Sequence, residues 1–105
     1  MNKFDKIRGC GTALITPFKA DTSVDYTALE KLVEFQIEGG IDFLVICGTT
    51  GESATLTPEE QLKVIKHVVT TVDGRVGVVG GAGGYHTAEV VEQARQVEAC
   101  GVEGL

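Results

Sequence analysis

Three times along the chain a short apolar run leads through a loop into a stretch where apolar residues recur every third or fourth position. The first run is residues 11–16 (GTALIT), which leads past Pro17 through a polar loop. Leu29, Leu32, Val33, Gln36 and Ile37 then share one mostly apolar face, a spacing that predicts an amphipathic helix over 26–38. Asp25 is its N-cap by residue type, and Gly39 with Gly40 stops it. The second run, residues 41–47 (IDFLVIC), ends in the loop GTTGES at 48–53. Thr57-Pro58-Glu59-Glu60 then has the form of a capping box with proline at the first helical position. Leu62, Ile65, Val68, Val69 and Val72 carry that helix to Asp73 and Gly74. Residues 75–80 read as a third strand, 81–86 as a loop and 87–99 as a third helix. The face of this helix is Val90, Val91, Ala94 and Val97; Gly101 ends it, and Val102 opens a fourth segment.

A repeating strand–helix order with starts near 11, 41 and 76 predicts an α/β protein with a parallel sheet and right-handed crossovers. Strands that are apolar throughout are expected to be covered on both faces. Two architectures meet this, a doubly wound sheet and a (β/α)8 barrel. A barrel takes about 250 residues, whereas these 105 residues stop inside the expected fourth strand. The expectation is therefore a single partial domain over 1–105, with unpaired strand edges and one sheet face bare.

Composition narrows the function classes. Apolar residues are 43% and charged residues 23%, as in ordinary globular domains. A formal net charge of −6 without a Lys/Arg run argues against nucleic acid as a partner. No apolar stretch approaches the roughly 20 residues of a membrane span, so no membrane partner is expected. The start MNKFDKIRGC leads into an apolar segment of only about six residues and does not read as a signal peptide. Cys10, Cys47 and Cys100 are odd in number and lack metal-ligand spacing; their apolar neighbours suggest reduced core thiols in a cytoplasmic protein. No metal cluster, Ser/His/Asp set or cofactor is expected.

In either architecture chemistry sits at the carboxyl ends of the strands, where the loops at 16–18, 48–53 and 80–85 fall. In the second loop, Gly48 and Gly51 let the backbone turn sharply and approach a ligand. Backbone N–H groups between them can hold a carboxylate, and the hydroxyls of Thr49 and Thr50 can donate to it or pass a proton. Serine and threonine are also common in plain turns, so binding and bending both remain open. In the third loop Gly81-x-Gly83 begins like a dinucleotide fingerprint, but the last position is His86 rather than glycine. No acidic residue ends a second strand at the required distance, since Glu103 falls where a segment begins. A close-packed strand-to-helix turn fits better. His67 reads as a solvated residue on the polar side of the second helix, and His86 as a surface-loop residue within reach of the active face. Lys19 lies in a polar stretch and reads as exposed rather than as a desolvated Schiff-base lysine. Glu52 is either a base or a brace for the turn.

Taken together, residues 12–18 (TALITPF), residues 48–56 (GTTGESATL) and the glycine-rich third loop resemble the pyruvate-dependent class I aldolases. The form GTTGESATL is most similar to the dihydrodipicolinate synthase family; neuraminate lyases usually have serine where Thr49 stands. The resemblance implies a (β/α)8 (TIM) barrel, of which this chain is the first three βα units and the start of the fourth strand. It further implies condensation of pyruvate with aspartate semialdehyde to 4-hydroxy-tetrahydrodipicolinate, on the route to diaminopimelate and lysine. A lysine on the sixth strand forms the Schiff base there, so these residues alone are expected to be inactive. By position Thr50 holds the pyruvate carboxylate, with Gly48 and Gly51 shaping the loop. Thr49 is the middle member of a tyrosine–threonine–tyrosine proton relay. The family is usually tetrameric. Ser53, Ala54 and Glu89 match residues lining its lysine-inhibition site, while Pro58, Gln61 and Tyr85 stand where the inhibited enzymes commonly have His, His and Asn. A keto-deoxy sugar acid aldolase, a neuraminate lyase and a non-catalytic α/β module are the alternatives.

Overall fold

A computed structural model of the chain describes residues 2–105. Its main elements are β1 (Gly11–Ala13), α1 (Tyr26–Glu38), β2 (Phe43–Ile46), α2 (Pro58–Val72), β3 (Gly77–Gly80) and α3 (Thr87–Glu98). The strands pair in parallel in the order β1-β2-β3, with Thr12 opposite Leu44 and Leu44 opposite Val78. Residues 103–104 lie along β3. Glu103 N–H donates to Val78 O at 2.9 Å, and Gly80 N–H to Gly104 O at 3.0 Å, beginning a fourth strand in the same direction.

The helix limits follow local chemistry. The Asp25 carboxylate accepts from Ala28 N–H at 3.0 Å, so it caps α1 as its residue type predicts. Thr57 and Glu60 form the reciprocal capping box of α2, at 3.1 and 2.9 Å, with Pro58 in the first turn. Asp73 in the left-handed region (φ 48) and Gly74 (φ 77) end it. Gln36, the polar member of the α1 face, accepts from the Thr12 hydroxyl at 2.7 Å and so ties the helix to β1.

Strands are shorter than the apolar runs. The first run was expected to pair over 11–16, yet β1 ends at Ala13, although Leu14 N–H still reaches Val45 O at 3.0 Å. Beyond it the chain turns away through Pro17, which has no N–H to pair. Leu29, Val33, Val64, Ile65, Val68, Val72 and Val97 from the helices meet Leu44, Ile46 and Val78 from the sheet in one core. Each such side chain, fully buried, contributes about 1.5–3 kcal/mol. The opposite sheet face has no such cover. Val45 and Val79 are half-buried, Ala13 is exposed and Ile15 is 55% exposed. The expectation that both faces are covered therefore holds only toward the helices, and the bare face expected of a three-unit piece is present.

Three further expectations change. His67 is not on a solvated face, because α2 packs broadly on α1 and covers its edge. The His67 ring stands edge-on to Tyr26, centroids 5.0 Å apart, and Nε2 lies 2.9 Å from Glu30 Oε1 but off the hydrogen-bond axis. Among the thiols only Cys47 is buried: Cys10 is exposed on the edge strand's approach and Cys100 half-buried after α3. Val91, expected on the α3 core face, is 45% exposed because only Val97 of that face reaches the core fully.

Candidate functional site

At the carboxyl end of β2 the chain turns abruptly. Cys47 adopts φ 58 and Glu52 φ 58, so non-glycine left-handed residues bracket the loop Gly48-Thr49-Thr50-Gly51. Such conformations persist only where surrounding contacts over-determine them. Those contacts are present here. Glu52 N–H donates to Thr49 O at 3.0 Å, Ser53 N–H to Gly48 O at 3.4 Å, and the Thr55 hydroxyl to Glu52 O at 2.8 Å. From β1's side the buried Thr16 hydroxyl donates to Gly51 O at 2.7 Å. From α2, Gln61 Nε2 donates to Ser53 O at 2.8 Å, while its Oε1 accepts from Gln93 Nε2 of α3 at 2.6 Å.

Gly51 is buried beneath the loop, and a Cβ there would lie 3.1 Å from Leu14 O and 3.2 Å from Cys47 N. The Cys47 thiol is pushed up to about 12 by burial, so it stays protonated and acts as packing rather than as a nucleophile. What the loop leaves unengaged is specific. Among the described residues, the N–H groups of Thr49, Thr50 and Gly51 and the hydroxyls of Thr49 and Thr50 meet no acceptor. Three successive amides that follow Gly48 and end at Gly51 are the kind of donor set that holds a carboxylate.

Gly48, Thr49 and Ser53 share a cavity of about 560 Å³ with Gly81, Ala82 and Leu105, between the second and third loops. Thr50 is exposed and lies outside that lining, as do Gly51 and Ala54. Glu89 lines an adjoining cavity of about 450 Å³ with Pro58 and Leu62, and Gln61, Gly83 and Gln93 border both spaces. The third loop crosses Cys47 closely: Gly81 N–H donates to Ile46 O at 2.7 Å, and any Cβ at 81 would overlap Cys47 O. Gly83 has open space around it. The first glycine thus serves strand–loop packing, as expected for a close-packed turn. His86 is not a plain loop residue, because its Nδ1 accepts from Glu89 N–H at 3.3 Å and caps α3. Lys19 and Glu52 are both exposed, on a separate shallow groove with Phe18, Thr22 and Thr55.

Two contributors were missed in the sequence. Gln93 sits among Val90 and Val97 on the α3 face, and a polar residue inside an apolar stripe was a usable signal. Thr16 reads in the sequence only as the end of the first run and the start of its loop. Among the described residues no group of three or more His, Cys, Asp and Glu could hold a metal ion, and no helix is long and apolar enough to cross a membrane.

Residues 6–105 match the sequence model of the dihydrodipicolinate synthetase family. The chain is 58% identical over 101 residues to a 4-hydroxy-tetrahydrodipicolinate synthase of Koribacter versatilis, covering 95% of this chain and 34% of that protein. Among solved structures it superposes on dihydrodipicolinate synthase of Aquifex aeolicus with a TM-score of 0.88 at 47% identity, covering 91% of this chain and 32% of the other. The Acinetobacter baumannii enzyme, solved with pyruvate, gives 0.90 at 38% identity, covering 91% and 33%. The chain thus spans about a third of the length of the curated relatives it matches. Three βα units also occur in half of a doubly wound sheet; these likenesses decide for the first arc of a (β/α)8 barrel. With its loop motif, its parallel strand order and its match over residues 6–105 in agreement, this chain belongs to the dihydrodipicolinate synthetase family.

Proposed function

We propose that these residues supply the carboxylate-binding loop and one proton-relay hydroxyl of a 4-hydroxy-tetrahydrodipicolinate synthase. The substrates are pyruvate and aspartate semialdehyde. The observation that carries this reading is the set of unengaged amides at Thr49, Thr50 and Gly51, held on a braced loop at the carboxyl end of β2. The loop suits a pyruvate carboxylate because fixed N–H dipoles need no reorganisation to receive it. In this reading Thr50 donates its hydroxyl and amide to the carboxylate, and Gly48 and Gly51 permit the approach. Thr49, on the cavity side, is the middle member of the relay that moves protons as the ketone becomes an imine and its methyl group an enamine nucleophile.

The Schiff-base lysine, both relay tyrosines and the arginine that guides the aldehyde belong to parts of the family barrel outside these 105 residues. These residues alone are therefore expected to form no borohydride-trapped adduct with pyruvate by mass spectrometry. Cytoplasmic placement and a tetrameric whole enzyme complete the proposal.

The experiment is a chimera in which residues 6–105 replace the matching segment of the Koribacter versatilis synthase. Condensation should be retained. Thr50→Ala should raise KM for pyruvate about tenfold, the effect of one lost charge-assisted hydrogen bond. Thr49→Val should lower kcat by about 10²–10⁴ with a smaller change in KM, as for a lost proton-transfer group. A chimera that condenses pyruvate only with a different aldehyde would instead favour a related pyruvate aldolase. Unchanged kinetics in both variants would reject the site.

A further inference from the structure

We propose that Thr16 is the positioning residue of the 48–53 loop, its hydroxyl fixing the peptide at Gly51 so that the neighbouring amides stay aimed at a carboxylate. The inference rests on the reading of that loop as a carboxylate clamp. Thr16 is 4% exposed, and its hydroxyl donates to Gly51 O at 2.7 Å across 35 residues of sequence. Among the described residues, the one hydrogen bond of this buried polar side chain goes to this loop, in a position where the apolar residues of 11–16 would otherwise continue. A buried donor is costly to leave unpaired, so the pair resists separation.

The bond acts on the carbonyl side of a peptide whose N–H side the loop holds by itself. Glu52 N–H and Ser53 N–H close the turn onto Thr49 O and Gly48 O, and Gln61 holds Ser53 from α2. Between them, the carbonyl of Gly51 is held only by Thr16 among the described residues. Gly51 has no side chain, and the peptide planes on either side of it can rotate freely unless something pins them. Thr16 on Gly51 O and Thr49 O on Glu52 N–H fix the Gly51–Glu52 peptide from both sides, and Gly51 Cα with it. Without that fixed end, the preceding peptide swings, carrying the N–H of Gly51 and the carbonyl of Thr50 together. Such a swing would present an oxygen, rather than a hydrogen, to an incoming carboxylate. Thr16 also lies three residues past the carboxyl end of β1, the strand next to β2, so the brace couples the first loop to the second without touching a ligand.

The test uses Thr16→Val, which keeps the shape and removes the hydroxyl, and Thr16→Ser, which keeps the hydroxyl. In the 105-residue chain, amide exchange at Glu52 should speed up about tenfold in Thr16→Val and stay at the parent rate in Thr16→Ser. In the chimera, Thr16→Val should raise KM for pyruvate about tenfold with a smaller fall in kcat, and Thr16→Ser should restore the parent KM within twofold. If Thr16→Val loses the parent's cooperative thermal transition, Thr16→Ala is read in its place against the same serine control. Parent-like exchange and KM in the hydroxyl-less variant, or a serine variant as impaired as it, would overturn the proposal. Thr50→Ala keeps the two readings apart. If it raises KM and Thr16→Val does not, the positioning role fails and the clamp stands. If Thr50→Ala has no effect while Thr16→Val alters Glu52 exchange, the clamp fails and the brace stands.

Discussion

Replacing Gly81 by alanine should be among the most damaging single-methyl changes in the chain, and Gly83→Ala among the mildest. At Gly81 the added Cβ overlaps Cys47 O and comes within 2.6 Å of Cys47 C and 3.1 Å of Ile46 O. All three obstacles are backbone, so no side-chain rotation relieves them. Cys47 is itself buried and already at φ 58, which leaves it little room to yield. Relief requires β2 and β3 to part at their carboxyl ends, which breaks the 2.7 Å bond from Gly81 N–H to Ile46 O. Overpacking of this kind costs about 1–3 kcal/mol and the lost hydrogen bond about 1 kcal/mol, giving roughly 2–4 kcal/mol in all. Domains of this size have only about 5–15 kcal/mol of net stability, so the loss is a large share. At Gly83 an added Cβ meets nothing within 4 Å, and alanine there should be neutral or slightly stabilising through the unfolded chain. The chain has no tryptophan, so urea unfolding is best followed by far-UV circular dichroism. A Gly81→Ala midpoint within about 0.5 kcal/mol of the parent, or equal losses at both glycines, would refute the packing argument.

Thr57→Ala removes one half of the α2 capping box and should cost about 1 kcal/mol, seen as a lowered melting temperature that Thr57→Ser largely restores. Burial raises the Cys47 thiol from 9.0 to about 12, so the folded state holds that proton more tightly than the unfolded one. Its stabilising contribution is complete below pH 9 and is lost between about pH 9 and 12. Cys47→Ala should flatten that alkaline fall in unfolding free energy, while Cys10→Ser should leave it unchanged. In a thiol-reagent titration of the folded chain at pH 8, exposed Cys10 should react first and Cys47 last. The family resemblance implies that Pro58 and Gln61 stand where lysine-inhibited relatives commonly carry imidazoles. The whole enzyme should therefore be weakly sensitive or insensitive to lysine, and strong inhibition in a steady-state assay would contradict this.

Much of the scaffold was legible because helices are written locally. Asp25, the Thr57–Glu60 pair and Asp73 mark helix ends through bonds spanning only a few residues, and the three-four spacing of Leu29 and Val33 fixes the buried side. The loop GTTGES could likewise be placed at a strand's carboxyl end from the apolar run before it. Strand length was less legible, since a strand ends where its partner leaves, and β1 loses β2 at Ala13 while its own sequence stays apolar through Ile15. The place of His67 depended on how closely α1 covers α2, and no periodicity within α2 contains that.

Residue order alone therefore carries the order of elements, the helix boundaries, the family motif and the two threonines as candidate contacts. Which groups hold that motif in shape is set by packing. The braces on it run from Thr16 to Gly51 and from Gln93 through Gln61 to Ser53, across 35, 32 and 8 residues. Hydrogen bonds of that reach exist only once β1, β2, α2 and α3 have packed. A hydroxyl or an amide side chain carries no mark in the sequence of which distant carbonyl it will meet.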